Sequence, residues 1–307
     1  MTSFINALIP VIAIVAIGQV MALRGIIAPD GWRAIERLSY VLLFPLLIIR
    51  ALASAPFDEA PWLMAGALIA AQLITGGAGL LGGKLTGLSG PALGSVIQSN
   101  VRWNTFVALS IAGSLYGDAG LALVSIAAAA MIPTANILSV GALTRFADTP
   151  DGRKPNVLRD LATNPLIIAC VVGAALNVAN LAPTGVIDRT MGILAQATIA
   201  LGLLAAGAGV DFGALKRAGA RTVGWSLVRL LILPLSALGV ALAFGLSGMQ
   251  LGVLVIAAAT PTATNGYILA RQLGGDAPLS ANLIALQTVL AAGTMPALFW
   301  LAQSLAG

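Results

Sequence analysis

Arg102 is the residue of this chain with the clearest chemical consequence. It lies about ten residues into an apolar stretch, near 15 Å deep at roughly 1.5 Å of rise per residue. Charge at that depth is costly and marks a substrate or ion pathway. No Asp or Glu falls in the deep part of any apolar stretch, so an internal ion pair is hard to build. A guanidinium without a carboxylate partner suits a carboxylate ligand, which it can grip in a bidentate fork. Around it runs Gln98-Ser99-Asn100-Val101-Arg102-Trp103-Asn104-Thr105, and a second polar run, Thr260-Pro261-Thr262-Ala263-Thr264-Asn265-Gly266-Tyr267, interrupts another apolar stretch in the corresponding place of the second half. Asn100, Asn104, Thr105, Thr260, Thr262, Thr264 and Asn265 supply neutral amides and hydroxyls, and Pro261 removes a backbone donor and frees carbonyls near Ala257. Asn136 stands beside a kink at Pro133, where it either reaches the same cavity or bonds locally. These ten residues are the candidate substrate contacts; the competing reading is hydrogen bonding that only glues helices together.

Such interruptions need particular elements to hold them. Polar backbone at bilayer depth is tolerated only where it lines a protein-walled cavity, and paired breaks in two halves point to a transport site near the midplane. Composition supports the membrane setting: of 307 residues, 59% are hydrophobic and 9% charged, with a mean hydropathy of +0.98. A soluble domain carries about 25% charged residues. The net charge of +5 is scattered through short loops and forms no basic face, which argues against nucleic acid as a partner. There is no histidine, and the single cysteine, Cys170, sits in an apolar stretch as a packing residue. The carboxylates Asp30, Glu36, Asp58, Glu59, Asp118, Asp148, Asp151, Asp160, Asp188, Asp211 and Asp276 all map to loops or span ends. The core therefore has no evident proton carrier, metal site or catalytic cluster. No cofactor and no enzymatic activity are expected, with coupling to H+, to Na+ or to neither left open.

Ten stretches are long enough to span a bilayer, about 20 apolar residues each: 4–23, 34–54, 61–83, 92–114, 120–144, 162–181, 190–210, 222–245, 249–270 and 278–304. The first lacks the basic start of a cleavable signal peptide. Arg24, Arg33, Arg37, Lys84, Arg145, Arg153, Lys154, Arg159, Lys216, Arg217, Arg221 and Arg271 fall in alternate loops, whereas only Arg50 and Arg189 lie in the opposite ones. This asymmetry puts the basic side in the cytoplasm and both termini outside. Arg229, about eight residues into the eighth stretch, and Arg50 are read as snorkelling to an interface. Pro45 and the Gly202, Gly207 and Gly209 series read as packing and flexing features, and Trp32, Trp62 and Trp300 as an aromatic belt. A shift of 158 residues aligns Asn6 with Asn164, Asp30 with Asp188, and Gly117-Asp118-Ala119 with Gly275-Asp276-Ala277. Five spans per half is an odd number, so the second copy enters from the other side. The expected fold is an all-α membrane protein of two inverted five-helix repeats, 1–144 and 161–307, joined by a cytoplasmic linker at 145–160.

The runs Ser99–Phe106 and Tyr116-Gly117-Asp118 resemble the fourth-helix region of the auxin efflux carrier family, and Ala259–Gln272 resembles its ninth-helix motif. Asn164-Pro165-Leu166 and Tyr40–Pro45 are also similar to that family, and the resemblance covers essentially the whole chain. It implies a fold like that of bile-acid/sodium symporters and plant PIN-FORMED carriers. Crossed broken helices four and nine would sit in a mobile transport domain, about 61–144 and 222–304. A scaffold domain, about 4–54 and 162–210, would dimerise. It implies elevator-type transport, with Asn104 at the first crossing and Pro261 and Asn265 at the second. Trp103 stands where plant members carry a proline, which weakens the inference that the substrate is auxin itself; the plant carriers' long central cytoplasmic loop is also absent. Bacterial relatives are described as permeases for malonate or other carboxylates. The expected function is secondary transport of a small organic anion across a bacterial inner membrane. A sodium-coupled bile-acid-type symporter and a ligand sensor on a transporter fold are the alternatives.

Overall fold

The computed structural model describes residues 2–55, 62–147, 159 and 162–306, and among them there are helices and no strand. Helix α1 runs Thr2–Leu23. Helix α2, Pro29–Leu38, passes through a π turn at Ser39–Leu43 into α3, Phe44–Ala53. Then come α4 (Trp62–Leu85), α5 (Gly90–Val101), α6 (Thr105–Phe146), α7 (Pro165–Val178), α8 (Gly185–Ala208) and the short α9 (Phe212–Arg217). Helix α10, Ala220–Leu227, leads through a second π turn, Val228–Ile232, into α11, Leu233–Ala243; α12 (Gly248–Ala259), α13 (Gly266–Gln272) and α14 (Ala277–Ala306) complete the chain. Among the described residues, six helical stretches are long and apolar enough to cross a membrane: Thr2–Leu23, Trp62–Leu85, Gly90–Phe146, Gly185–Ala208, Ala220–Ala243 and Ala277–Leu305. Their outer faces expose large apolar side chains such as Ile9, Ile17, Leu81, Ile187, Ile193 and Trp300. That much apolar surface is a liability in water and the natural outer face of an integral membrane protein.

Gly117, with φ 59° and ψ −142°, divides α6 into two arms, Thr105–Tyr116 and Asp118–Phe146. This left-handed conformation is open to glycine and strained for a residue with Cβ. The fold back is tight enough that a Cβ on Gly120 would overlap the Ala112 carbonyl.

Element boundaries recur at the 158-residue offset seen in the sequence. Trp62–Leu85 and Ala220–Ala243 are both 24 residues long, and Gly90–Val101 and Gly248–Ala259 are both 12. Gly87 (φ 66°) and Gly245 (φ 77°) close the preceding helices in the same way. Leu88 N–H donates to the Gly83 carbonyl at 3.0 Å, and Leu246 N–H to the Ala241 carbonyl at 2.9 Å. Both are left-handed glycine C-caps of Schellman type.

The helices pack in two groups. α1 lies along α8, and α3 along α7 and α8; α4, α5, α6 and α10–α14 pack chiefly on one another, with α6 the main bridge between groups. At the α1–α8 contact, a Cβ on Gly18 would overlap the Leu204 carbonyl oxygen and one on Gly207 the Val15 carbonyl oxygen. Helices in lipid gain little from hydrophobic transfer, so such backbone-to-backbone approach, with its dispersion contacts, is what holds them. The linker expected at 145–160 falls largely outside the described residues, as do Asp58, Glu59, Asp148, Asp151, Arg153, Lys154 and Asp160.

Candidate functional site

Two local rules end the half-helices. α5 stops at Val101 because Arg102 turns extended (φ −74°, ψ 153°), and α6 starts at Thr105 under the Asn104 side chain, whose oxygen accepts from Val107 N–H at 3.2 Å. An asparagine N-cap of this kind contributes about 1 kcal/mol. α12 stops at Ala259 because Thr260 precedes Pro261, which disfavours helical ψ at the residue before it; Thr260 has φ −60° and ψ 151°. Helix resumes at Gly266. The two breaks meet: Asn104 N–H donates to Thr260 Oγ1 at 3.3 Å, Arg102 Nη1 to Asn265 Oδ1 at 3.1 Å, and Gln98 Nε2 to the Gly266 carbonyl at 2.8 Å.

A cavity of about 430 Å³ lies on one face of this meeting point. Of the ten residues singled out in the sequence, Arg102, Asn104, Thr105, Asn136, Thr264 and Asn265 line it. Arg102 Nη2 donates to Asn136 Oδ1 at 3.1 Å, so the guanidinium is held between two neutral amides, and its buried Nε has no protein partner. Among the described residues no carboxylate lies within ion-pair distance of it. Apolar walls come from Phe44, Trp103, Phe106, Ile132, Leu166 and Ile268, and the open end carries Arg33, Glu36 and Arg37. The charged lining thus holds three guanidiniums against one carboxylate, with Arg33 also paired to Asp30 at 2.5 Å. The N-terminus of the twelve-residue arm Thr105–Tyr116 opens at the same wall, adding a positive dipole end. The chemistry on offer is recognition of an anion.

Asn100, Thr260, Pro261 and Thr262 lie outside the cavity wall, buried in the packing behind it. The side chain of Asn100 is wholly buried with neither amide atom bonded. Thr260 serves the crossing instead: its hydroxyl donates to the Ala257 carbonyl at 2.9 Å while accepting from Asn104. Thr262 N–H donates to Gln287 Oε1 at 3.0 Å.

Sequence reasoning missed the side chains that tie the breaks from behind. Gln72 Nε2 donates to the Val101 carbonyl at 2.8 Å and to that of Met131 at 3.2 Å, joining α4, the first break and the kinked arm of α6. An amide midway along an apolar stretch was the available signal. Arg229 corrects the snorkelling expectation outright. It is 0% exposed, with Nε donating to the Arg102 carbonyl at 3.0 Å and Nη1 to the Ala258 carbonyl at 2.7 Å. Arg50 is not free either: its Nε donates to Asp188 Oδ1 at 2.6 Å, beside a smaller cavity that Asp118 also lines. The glycine series of α8 does pack closely, Gly202 under Phe106 and Gly207 on Val15, while Gly209 faces Thr264 across the second break.

Residues 153–301 match the membrane transport protein family. A protein of Methanothermobacter thermautotrophicus named an uncharacterized transporter is 23% identical over 297 residues, covering 95% of this chain and 96% of that one. A Rhizobium meliloti protein provisionally named a malonate transporter is 27% identical over 204 residues, covering 62% of this chain and 63% of that one. The match and both names agree with the carrier resemblance carried by the two polar runs.

Proposed function

We propose that this integral membrane transporter, a member of the membrane transport protein family, moves a small carboxylate through the cavity at the crossed breaks. The observation that carries the reading is Arg102: a guanidinium in the cavity wall, held by amide oxygens and lacking a carboxylate counter-charge. Amides orient it without neutralising it, so an arriving carboxylate supplies the missing charge through a charge-assisted pair. Asn104 has its oxygen engaged as a helix cap, which leaves its NH2 to donate toward the same anion. The name of the Rhizobium relative adds weight to a carboxylate, malonate among the candidates.

The recurring helix boundaries support an inverted repeat with 1–144 and 161–307 as its copies. The two packing groups support a scaffold of α1–α3, α7 and α8 and a transport body of α4–α6 and α10–α14, moving as an elevator. Close, smooth contacts between them, Phe44 on Phe106 at 5.2 Å and Gly202 beneath Phe106, suit a sliding seam. Arg33 and Arg37 at the open end lie on helix α2, within the basic group that charge asymmetry assigns to the cytoplasm, which favours an inward-facing conformation. A homodimer through the scaffold and a bacterial inner membrane complete the reading. Its test is flux of radiolabelled mono- and dicarboxylates into proteoliposomes. Saturable uptake that fails with Arg102→Ala is the expected result, and wild-type uptake by that variant removes the anion site. Binding without turnover marks a sensor instead.

A further inference from the structure

We propose that Arg229 is a resident cation, fixed in the fold at a point where two half-helix C-termini converge and where broken helices otherwise call for an exchangeable metal ion. α5 and α12 both end at the crossing, and each helix end leaves carbonyls without intrahelical donors. Arg102 contributes the C-cap carbonyl of α5, and Ala258 lies one residue before the end of α12; the same guanidinium takes both, at 3.0 and 2.7 Å. Each helix end behaves as about half a negative elementary charge, so two ends sum to about one, and the guanidinium carries one. That balance explains how a cation survives wholly buried without a carboxylate within ion-pair distance among the described residues. Unwound backbone carbonyls and half-helix C-termini are the groups that hold coupling cations in other broken-helix carriers.

The sequence places this arginine by a local device. It sits in the π turn Val228–Ile232, whose extra residue widens the helix and re-aims the side chains around it. The consequence is mechanical as well as electrostatic. One side chain pins α5, α12 and the α10–α11 helix together, so both breaks travel as a unit when the cavity changes sides. Arg229 is a positioning residue: it acts on the cavity through the Arg102 backbone and does not face the substrate.

The test needs no knowledge of the substrate. Purified wild-type protein is melted in sodium, potassium and choline chloride at equal ionic strength, where the three melting temperatures are expected to coincide within about 1 °C. Arg229→Ala is expected to melt lower by about 5–10 °C, and millimolar guanidinium, compared with choline, restores part of that loss. Arg229→Lys keeps the charge on a shorter reach and falls between. A saturable sodium-specific rise in the wild-type melt overturns the proposal, and so does an Arg229→Ala protein that melts as wild type with no added cation. If Arg229→Ala cannot be purified, the wild-type ion series and Arg229→Lys still decide. In the flux assay, wild-type rates independent of sodium are expected, and sodium-dependent rates overturn it. Absence of carboxylate flux in every arm, with the melt series as expected, sinks the substrate reading and leaves this one standing.

Discussion

Two arginines flank the crossing of the broken helices, one on each face, and their partners differ in kind. Arg102 on the cavity face is held by two side-chain amides, whereas Arg229 on the packed face donates to backbone carbonyls of both breaks; each keeps one buried nitrogen unpaired, Nε of Arg102 and Nη2 of Arg229. Their charges are balanced by different means. Helix ends compensate Arg229 permanently; among the described residues Arg102 has no carboxylate within ion-pair distance, and its amide neighbours contribute dipoles only. The lesson is that two guanidiniums at one crossing are balanced differently, Arg229 by helix ends and Arg102, on the proposed reading, by an arriving anion.

The largest effect should come from removing the uncompensated charge. Arg102→Ala deletes a charge-assisted contact worth about 2–5 kcal/mol, which corresponds to a loss of about 30-fold or more in carboxylate flux. The melting temperature should change little, because water can reach the freed amides from the cavity. A variant that loses its fold along with its flux would erase the contrast with Arg229.

A second prediction separates capping from charge. Asn104→Asp keeps an equally good N-cap for α6, so stability should hold or rise slightly with the favourable helix dipole. The new carboxylate would share a cavity wall with Arg102 and give it the counter-charge the substrate is meant to bring. Flux of an anion should fall about tenfold or more. Retained flux would mean that the cargo is neutral or cationic, which flux competition with uncharged analogues would then identify.

The packed face gives the third. Gln72→Leu leaves the Val101 carbonyl without its donor, at a cost of about 1–3 kcal/mol and a melting temperature lower by a few degrees. The concentration giving half-maximal flux should stay within about twofold, since Gln72 does not line the cavity. A large rise in that concentration would show that the two faces are not separable.

How legible this was depends on which atoms carry each contact. The breaks announce themselves because Thr260-Pro261 and the Ser99–Asn104 run are residue types that apolar helices avoid, and Pro261 dictates extended backbone at Thr260 on steric grounds alone. The deep guanidinium of Arg102 is visible for the same reason. The side each residue faces is not written in its type: Asn100 and Asn104 are four apart around the end of α5, and the break turns one into packing and the other into the cavity. Arg229 was misread because its partners are main-chain oxygens, present at every residue and freed only once two distant helices end side by side. The π turn that aims it has no residue signature either. The smaller anchors of Arg102, Asn136 and Asn265, were both within reach of sequence, one through a proline kink and the other through the second break.

Those two anchors support the finest prediction. Each accepts one hydrogen bond from a different terminal nitrogen of Arg102, at 3.1 Å in both cases. An amide-to-guanidinium bond at a wetted site contributes about 0.5–1.5 kcal/mol, because water replaces the lost partner in part. Asn265→Ala alone should therefore raise the half-saturating substrate concentration about threefold to tenfold and leave the maximal rate unchanged. Asn136→Ala should do the same, although it lies on the other side of the guanidinium. With one anchor gone the remaining amide still limits the arginine's rotation, but with both gone the fork is free to turn away from the crossing. The double variant should consequently lose more than the product of the single effects, with a coupling of about 0.5 kcal/mol or more. Simple multiplication of the two effects would mean that the Arg102 backbone, pinned from behind through its carbonyl by Arg229, already sets the fork, and that the amides only tune it.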